Sequence, residues 1–539
     1  MPSVPESPPL ADRFLPAAFG FAVAALAWLR FSENTADNDL WGHVLYGQRV
    51  LALGHLEHTE VLSWTAAGQP WINHEVFAEI FLGLVHRLAG GTGLWLAMLA
   101  LAAVTVAIAL RAGGGRDRRR QLAALGLFAV SINFIALGYA VRPQLFTMLA
   151  FVLLLVLLRR FFNGQFHWGL AVPWLFAAWT NLHGGYFAGW IIVLLAVGTE
   201  GAAALRPALI QRLRFAPPVP VRWWLPPAMA VTTTVALALN PWGFELVRWT
   251  FQTLLLPRPQ ISEWQPPGLT AGALAFYLLV ALSASAWVGS RLPRRPWEAA
   301  TLLMLAVMAA LQQRHAPLFA LANLMLTPPH LWDALRRLAP HCAELIALLR
   351  RRLVAQGLAI ALCAAGTAAL AASLAPPREH PFTIEVPRDI YPVAAIEFMR
   401  SHQLTGRTLT FFDWGQQVLW ELPDNPVSFD GRLDTVYPAA IREAHWRFYA
   451  GGTPGSGLDV AAAAVALLPT SSGGVALLQR AGWSLVYRDP LAAVLVQTPA
   501  DHSALAGLSL PVQAGRTATQ GRVPFPDALS PLATDRRPR

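Results

Sequence analysis

Residues 15–43 read LPAAFGFAVAALAWLRFSENTADNDLWGH: an apolar run from Leu15 to Phe31, then Glu33, Asp37 and Asp39 in quick succession. An apolar helix of this length crosses about 30 Å of hydrocarbon, and the carboxylates mark where the chain re-enters water. The segment before the run has no basic excess, with Arg13 offset by Glu6 and Asp12. Many apolar runs follow, so the reading is an uncleaved first span, not a removed signal peptide.

Working outward, further apolar runs lie near 91–110, 122–140, 145–158, 168–180, 186–203, 223–239, 271–289, 298–311, 316–331 and 356–375. Together they predict a polytopic α-helical membrane protein with about eleven transmembrane helices. The runs flanking Arg314-His315 also read as one broken helix with a re-entrant piece. Of 539 residues, 55% are hydrophobic and only 13% charged, against about 25% charged in soluble chains. Lipid-facing surface accounts for that deficit.

The net charge of +10 is carried by arginine alone, since the chain has no lysine. The arginines sit in short clusters between apolar runs, the pattern that fixes membrane orientation, and not on one stripe suited to nucleic acid. With the N-terminus inside, cytoplasmic loops hold Arg116, Arg118 to Arg120, Arg159, Arg160, Arg206, Arg212, Arg214, Arg222, Arg294, Arg295 and Arg350 to Arg352. Outward loops hold only Arg49, Arg87, Arg142, Arg248, Arg258 and Arg314. This predicts a bacterial inner-membrane protein with its C-terminal domain in the periplasm. Cys342 and Cys363 fall in a cytoplasmic segment and the last span, where no disulfide framework is expected.

The predicted domains are a transmembrane domain over 1–375, which includes a long first periplasmic loop over 32–90, a soluble α/β domain over 376–500, and a disordered tail over 501–539. The first loop reads as two amphipathic helices, Leu40 to Leu53 and His74 to Leu88, lying along the interface with Trp41, Trp64 and Trp71 as belt aromatics. In the soluble domain, strand-like runs at 408–412, 426–430, 464–468, 483–487 and 491–497 alternate with helical ones at 392–403, 437–450 and 473–481.

Asp37-Asn-Asp39-Leu-Trp-Gly-His43 carries the strongest chemical signal. Two carboxylates at the bilayer exit can deprotonate a hydroxyl or bind a divalent cation. Asp39 is placed to cap the Leu40 helix, whereas Asp37 is not needed for a cap. His74 and Glu75 are either a charged first turn capped by Asn73 or substrate contacts folded back over Asp37. Arg142, His183 and the Arg314-His315 pair stand on three separate outward turns, which favours a shared anion pocket over independent snorkelling. Asp430-Gly-Arg432 reads as a turn closed by its own ion pair. No Walker loop, GxGxxG or zinc spacing occurs, which disfavours nucleotide-driven chemistry.

The ensemble of Asp37-x-Asp39-Leu-Trp-x-His43, Gly68-Gln-Pro-Trp71 with His74-Glu75, Asn181-Leu-His-Gly-Gly185, Asn240-Pro-Trp-Gly243, Arg314-His315 and Asp430-Gly-Arg432 resembles the GT-C glycosyltransferases. Within them it is most similar to an uncharacterised bacterial branch grouped with protein mannosyltransferases, aminoarabinose transferases and Rgt-type enzymes. The resemblance implies inverting transfer of a sugar from a polyprenyl-phosphate donor to a glycan, lipid or protein acceptor on the outer face. It implies Asp37, with Asp39, as the catalytic carboxylates, and Arg142, His183, Arg314 and His315 as holders of the donor phosphate. His43, His74 and Glu75 would then face the acceptor, and a divalent cation (Mg or Mn) is allowed. The Lys-Pro-Pro element of aminoarabinose transferases is replaced by Gly68-Gln-Pro-Trp71, so no particular sugar is implied. The competing readings are a flippase for an amphiphilic anion and a non-catalytic scaffold in envelope assembly.

Overall fold

The computed structural model describes residues 10–217, 222–254, 256–344, 347, 352–375, 378–498, 505 and 512–526. The chain divides into a helical unit (Met1–Glu33, Met98–Ala140, Gln144–Ala375) and a mixed unit (Asn34–Ala97, Val141–Pro143, Pro376–Arg539).

In the helical unit, Leu10–Phe31 packs along Arg352–Leu374, and Trp28 Nε1 donates to Ser373 Oγ at 3.1 Å. Among the described residues, six helices are long and apolar enough to cross a membrane: Phe14–Phe31, Val76–Gly114, Gln144–Phe162, Tyr186–Leu205, Ala271–Gly289 and Leu353–Leu374. The remaining predicted runs are also helical but shorter or more polar. They form Arg118–Ala136, Ala171–Trp179, Leu225–Ala236, Pro296–Leu311 and Ala316–Leu326, the last two separated by a 3₁₀ turn at Gln313–His315. Inside the bundle Arg159 donates to Glu298 Oε1 at 2.9 Å and to the carbonyls of Ala112 and Met325 at 3.0 and 3.1 Å. The two carbonyls supplement the carboxylate, as a largely buried ion pair requires.

The mixed unit is built around a five-stranded sheet. Its strands, with β1 at Glu385–Pro387 standing apart, are β2 (Thr408–Thr410), β3 (Val465–Pro469), β4 (Ser484–Arg488), β5 (Ala492–Val496) and β6 (Val512–Gln513), in the order β2-β3-β5-β4-β6. The pairs β2/β3 and β4/β6 are parallel; the two pairs made by β5 are antiparallel. A separate ribbon pairs β1 with β7 (Arg522–Pro524). Leu409, Phe448, Leu468, Leu478 and Leu495 fill the core beside the sheet.

Three regions differ from the sequence reading. First, Asn34–Ala97 falls in one compact unit with Pro376–Arg539, although the helix that begins at Val76 runs on to Gly114 and is itself long and apolar enough to cross a membrane. Trp64 N–H donates to the Val427 carbonyl, Val427 N–H to that of Leu62, and Ala36 N–H to that of Glu385. Second, the three loop tryptophans are not interfacial belts. Trp41 is fully buried against Tyr391 and Phe525, Trp71 lies against Tyr46, and Trp64 Nε1 donates to the Thr408 carbonyl. Burying so much aromatic area against protein stabilises more than leaving it at a headgroup boundary. The helix starting at Val76 does keep an apolar stripe outward, through Phe77, Phe81, Leu84 and Leu88, before Gly90 (φ 57°) breaks its course. Third, the tail from 501 contains β6 and β7 within 512–526, because pairing satisfies their backbone groups. The rest of the tail, apart from 505, lies outside the described residues.

Candidate functional site

The Asp37-Asn38-Asp39 turn in the mixed unit is pinned from both sides. Ala36 N–H donates to the Glu385 carbonyl at 2.7 Å, and Tyr391 Oη donates to the Ala36 carbonyl at 2.9 Å. Asp37 Oδ1 then accepts from the Asp39 amide at 3.0 Å and from Arg142 Nε. Arg142 Nη2 reaches Asp39 Oδ2 at 3.2 Å and Asn38 Oδ1 at 3.3 Å. Arg142 and Asp37 are 105 residues apart in sequence, yet one guanidinium bridges both carboxylates.

The expected division of labour between the acids is reversed. Asp39 occupies the N-cap position of Leu40–Leu53 but makes no side-chain cap bond. Asp37 is the one spent on backbone, closing the turn through the Asp39 amide. Burial pushes the Asp39 carboxyl up to about 6; Arg142 opposes this, while the charges of Asp37 and Glu75 add to it. Asp39 therefore exchanges a proton close to neutral pH.

The region long after the last span completes this turn. Asp413 Oδ1 accepts from Asn38 Nδ2 at 2.9 Å. Burial raises the Asp413 pKa, and the Asp37 charge adds to that rise. With its amide turned to donate, Gln416 bonds the carbonyls of Asn38 (3.2 Å) and Asp39 (2.9 Å). Gly431 comes so close that a Cβ there would overlap Asp39 Oδ1. Asp413 carries no local sequence signal that ties it to residue 39, and Gly431 stands in the Asp430-Gly-Arg432 motif, which read as a turn closed by its own ion pair.

Beside this turn, His43 Nδ1 lies 3.2 Å from Glu79 Oε1 and 3.9 Å from Glu75 Oε2. Asn73 Nδ2 donates to Glu79 at 2.5 Å, and Asn73 Oδ1 accepts the Glu75 amide within the turn that precedes the helix; the helix itself starts at Val76, so Asn73 is not its cap. The loop thus folds back, bringing His43 and Glu75 together, with His74 3.6 Å from Glu75. Glu79, absent from the sequence reading, is the buried member; its one visible signal is the four-residue spacing from Glu75. Burial disfavours charge on His43, but the Glu79 bond and the nearby carboxylates outweigh it and raise its pKa. Donor atoms of His43, Glu75 and Glu79 lie within 4.8 Å of one another. One imidazole with two carboxylates fits a divalent cation of the Zn or Mn kind. The same atoms also satisfy one another by hydrogen bonds.

A third cluster is sealed. Arg432 donates to both oxygens of Asp430 at 3.0 and 2.8 Å and forms an ion pair with Glu60, and Tyr437 Oη donates to Asp430 at 2.9 Å. Tyr46 and Trp71 stack near its guanidinium, 5.1 and 5.0 Å from ring centre. The Asp–Arg turn is as the sequence indicated; Glu60 is the partner it did not reveal.

The other candidate anion holders lie in the helical unit. His183 Nδ1 accepts from the Gly185 amide at 3.0 Å and lies 2.8 Å from Thr147 Oγ1. Arg314 pairs with Glu263 at 3.5 Å and lies over Trp264, whose ring also carries Arg258, each guanidinium about 4 Å from the ring centre. Burial, reinforced by Arg314, lowers His315 to about 4.

No protein-family model matches the sequence, and no curated protein matches it. Solved structures do. The Archaeoglobus fulgidus oligosaccharyltransferase in its apo form is 13% identical, covering 84% of this chain and 69% of that one, with a TM-score of 0.51. The same organism's AglB, in complex with an inhibitory peptide and a dolichol-phosphate, is 12% identical over 85% and 69%, TM-score 0.49. ArnT from Cupriavidus metallidurans bound to undecaprenyl phosphate is 14% identical over 92% and 99%, TM-score 0.46. At these identities the likeness is one of fold alone, shared with the archaeal oligosaccharyltransferase.

Proposed function

We propose that the chain is an inverting glycosyltransferase that moves a sugar from a polyprenyl-phosphate donor to an acceptor hydroxyl on the extracytoplasmic face. The observation that carries this reading is the open turn where Arg142 bridges Asp37 and Asp39 while Asp39, free of any cap bond, holds its proton to about pH 6. An acid of that strength is matched to accepting a hydroxyl proton near neutrality. In this scheme the acceptor oxygen attacks the anomeric carbon as its proton passes to Asp39. The bond from that carbon to the phosphate oxygen breaks, and the lipid phosphate leaves with the electron pair. Asp37 holds Arg142, whose planar fork is suited to the departing phosphate. Arg314 and His183 would contribute further contacts to the donor, and His43, His74 and Glu75 to the acceptor, which is a glycan, lipid or protein. A divalent cation held by His43, Glu75 and Glu79 would add positive charge beside the transfer site.

The same reading takes the chain as spanning a bacterial inner membrane about eleven times, with its N-terminus cytoplasmic and residues 376–500 periplasmic. The six long apolar helices and the arginine asymmetry support it.

The test is sugar transfer by membranes containing the full chain, given a panel of polyprenyl-phosphate sugars. Asp39→Asn should insert and fold normally while transfer falls about 10²–10⁴-fold, the usual cost of losing a general base. Transfer at the wild-type rate by Asp39→Asn would refute the assignment; loss in Asp37→Asn alone would move the base to Asp37.

A further inference from the structure

Between Glu200 and Glu245 the chain carries no acidic residue but has Arg206, Arg212, Arg214 and Arg222. Among the described residues none of these four guanidinium groups has a hydrogen-bond or ion-pair partner. Two arginines close by in the same unit are already engaged: Arg294 Nη2 donates to the Ser290 carbonyl at 3.0 Å, and Arg295 Nη2 to Asn163 Oδ1 at 3.2 Å.

Beside this unneutralised stretch lies a groove of about 650 Å³, lined by Thr199, Ile210, Phe215, Ala300, Leu303 and, as its one charged wall, Arg206. The local fold builds it. Tyr186–Leu205 stops at Arg206, whose extended backbone turns the chain into the short helix Pro207–Arg212. The Ala216 amide then donates to the Arg294 carbonyl at 2.7 Å, drawing Phe215 across to the start of Pro296–Leu311. The rim is apolar and outward-facing, with Leu205 85% and Leu303 68% exposed.

We propose that this groove seats an acyl chain of an anionic phospholipid, with its phosphate against Arg206. An apolar trough with a single arginine wall and further unpaired arginines along the adjoining chain matches such an amphiphile in both halves. An abundant phospholipid fills even a weak site by mass action. The proposal is independent of the reaction proposed at the Asp37–Arg142 turn, with which the groove shares no residue.

The test uses the purified full chain, delipidated in detergent and offered phosphatidylglycerol, phosphatidylcholine or undecaprenyl phosphate, with bound lipid counted by native mass spectrometry. One phosphatidylglycerol should be retained in preference to phosphatidylcholine. Arg206→Gln should weaken that retention about fivefold, the contribution of one arginine at an anionic lipid surface. Ala300→Phe, which fills the trough, should abolish the preference, while Arg116→Gln, an equal loss of charge elsewhere, should leave it intact. Equal retention of the two phospholipids, wild-type retention by Arg206→Gln, or displacement of phosphatidylglycerol by an equal amount of undecaprenyl phosphate would each overturn the proposal. Should Ala300→Phe fail to fold, the exposed Arg206 variant still decides.

Discussion

Two clusters in the mixed unit have nearly the same composition, one guanidinium against two carboxylates, and very different access to solvent. Around Arg432 the side chains of Asp430 and Glu60 are 0% exposed and the arginine 4%. Around Arg142 the corresponding figures are 18% for Asp37, 24% for Asp39 and 21% for the arginine. In the sealed cluster every carboxylate oxygen accepts at least one hydrogen bond, from Arg432, from the backbone amides of Ser63 and Arg432, or from Tyr437. In the open cluster Asp39 has one strong partner and a nearby third acid, Asp413. Charge composition alone does not mark a reactive site; incomplete neutralisation together with access does.

That contrast can be broken from either side. The largest effect on stability should come from Arg432→Met, which leaves Glu60 and Asp430 as buried charges without a counterion and should cost about 3–5 kcal/mol. Thermal unfolding of the purified protein measures it. A variant as stable as wild type would mean that the sealed cluster is not a staple between the first loop and the C-terminal residues. Gly431→Ala is a gentler probe of the open cluster. Its methyl group must displace the Asp39 carboxylate, and a misplacement of about 1 Å should lower turnover roughly tenfold or more while leaving the unfolding temperature within a few degrees. Unchanged turnover would show that Asp39 tolerates displacement and is not held in a reacting geometry.

Much of the fold was legible in the sequence because apolar runs, arginine asymmetry and alternating strand patterns are local signals. Residues 408–410, 465–469, 484–488 and 492–496 are strands close to where the pattern placed them, whereas 426–430 is no strand and Val427 makes only isolated bridges to Ser63 and Thr408. What was not legible depends on distant pairing. Trp41 looked like a belt aromatic because the Leu40 helix is amphipathic, and nothing near residue 41 reveals that Tyr391 and Phe525 cover it. Glu60 sits in an unremarkable loop until Arg432, 372 residues on, reaches it. The Asp37-x-Asp39 pair was visible as a candidate, but not which acid would take the cap-like backbone bond: Arg142, far beyond Asp39 in the chain, engages the Asp39 carboxylate, which makes no bond to its own helix.

The central claim is that Asp39 is the proton acceptor of the open cluster, and the pH dependence of sugar transfer tests it most directly. Its pKa is raised in the folded chain, so protonation favours the fold at low pH and that contribution fades as pH rises through about 6. Activity should run the opposite way, because only the ionised carboxylate accepts a proton. The account predicts transfer that climbs tenfold per pH unit below about 6 and levels off above it, with Asp39→Asn low and flat across the range. A profile without an inflection near pH 6, or one retained in Asp39→Asn, would contradict it.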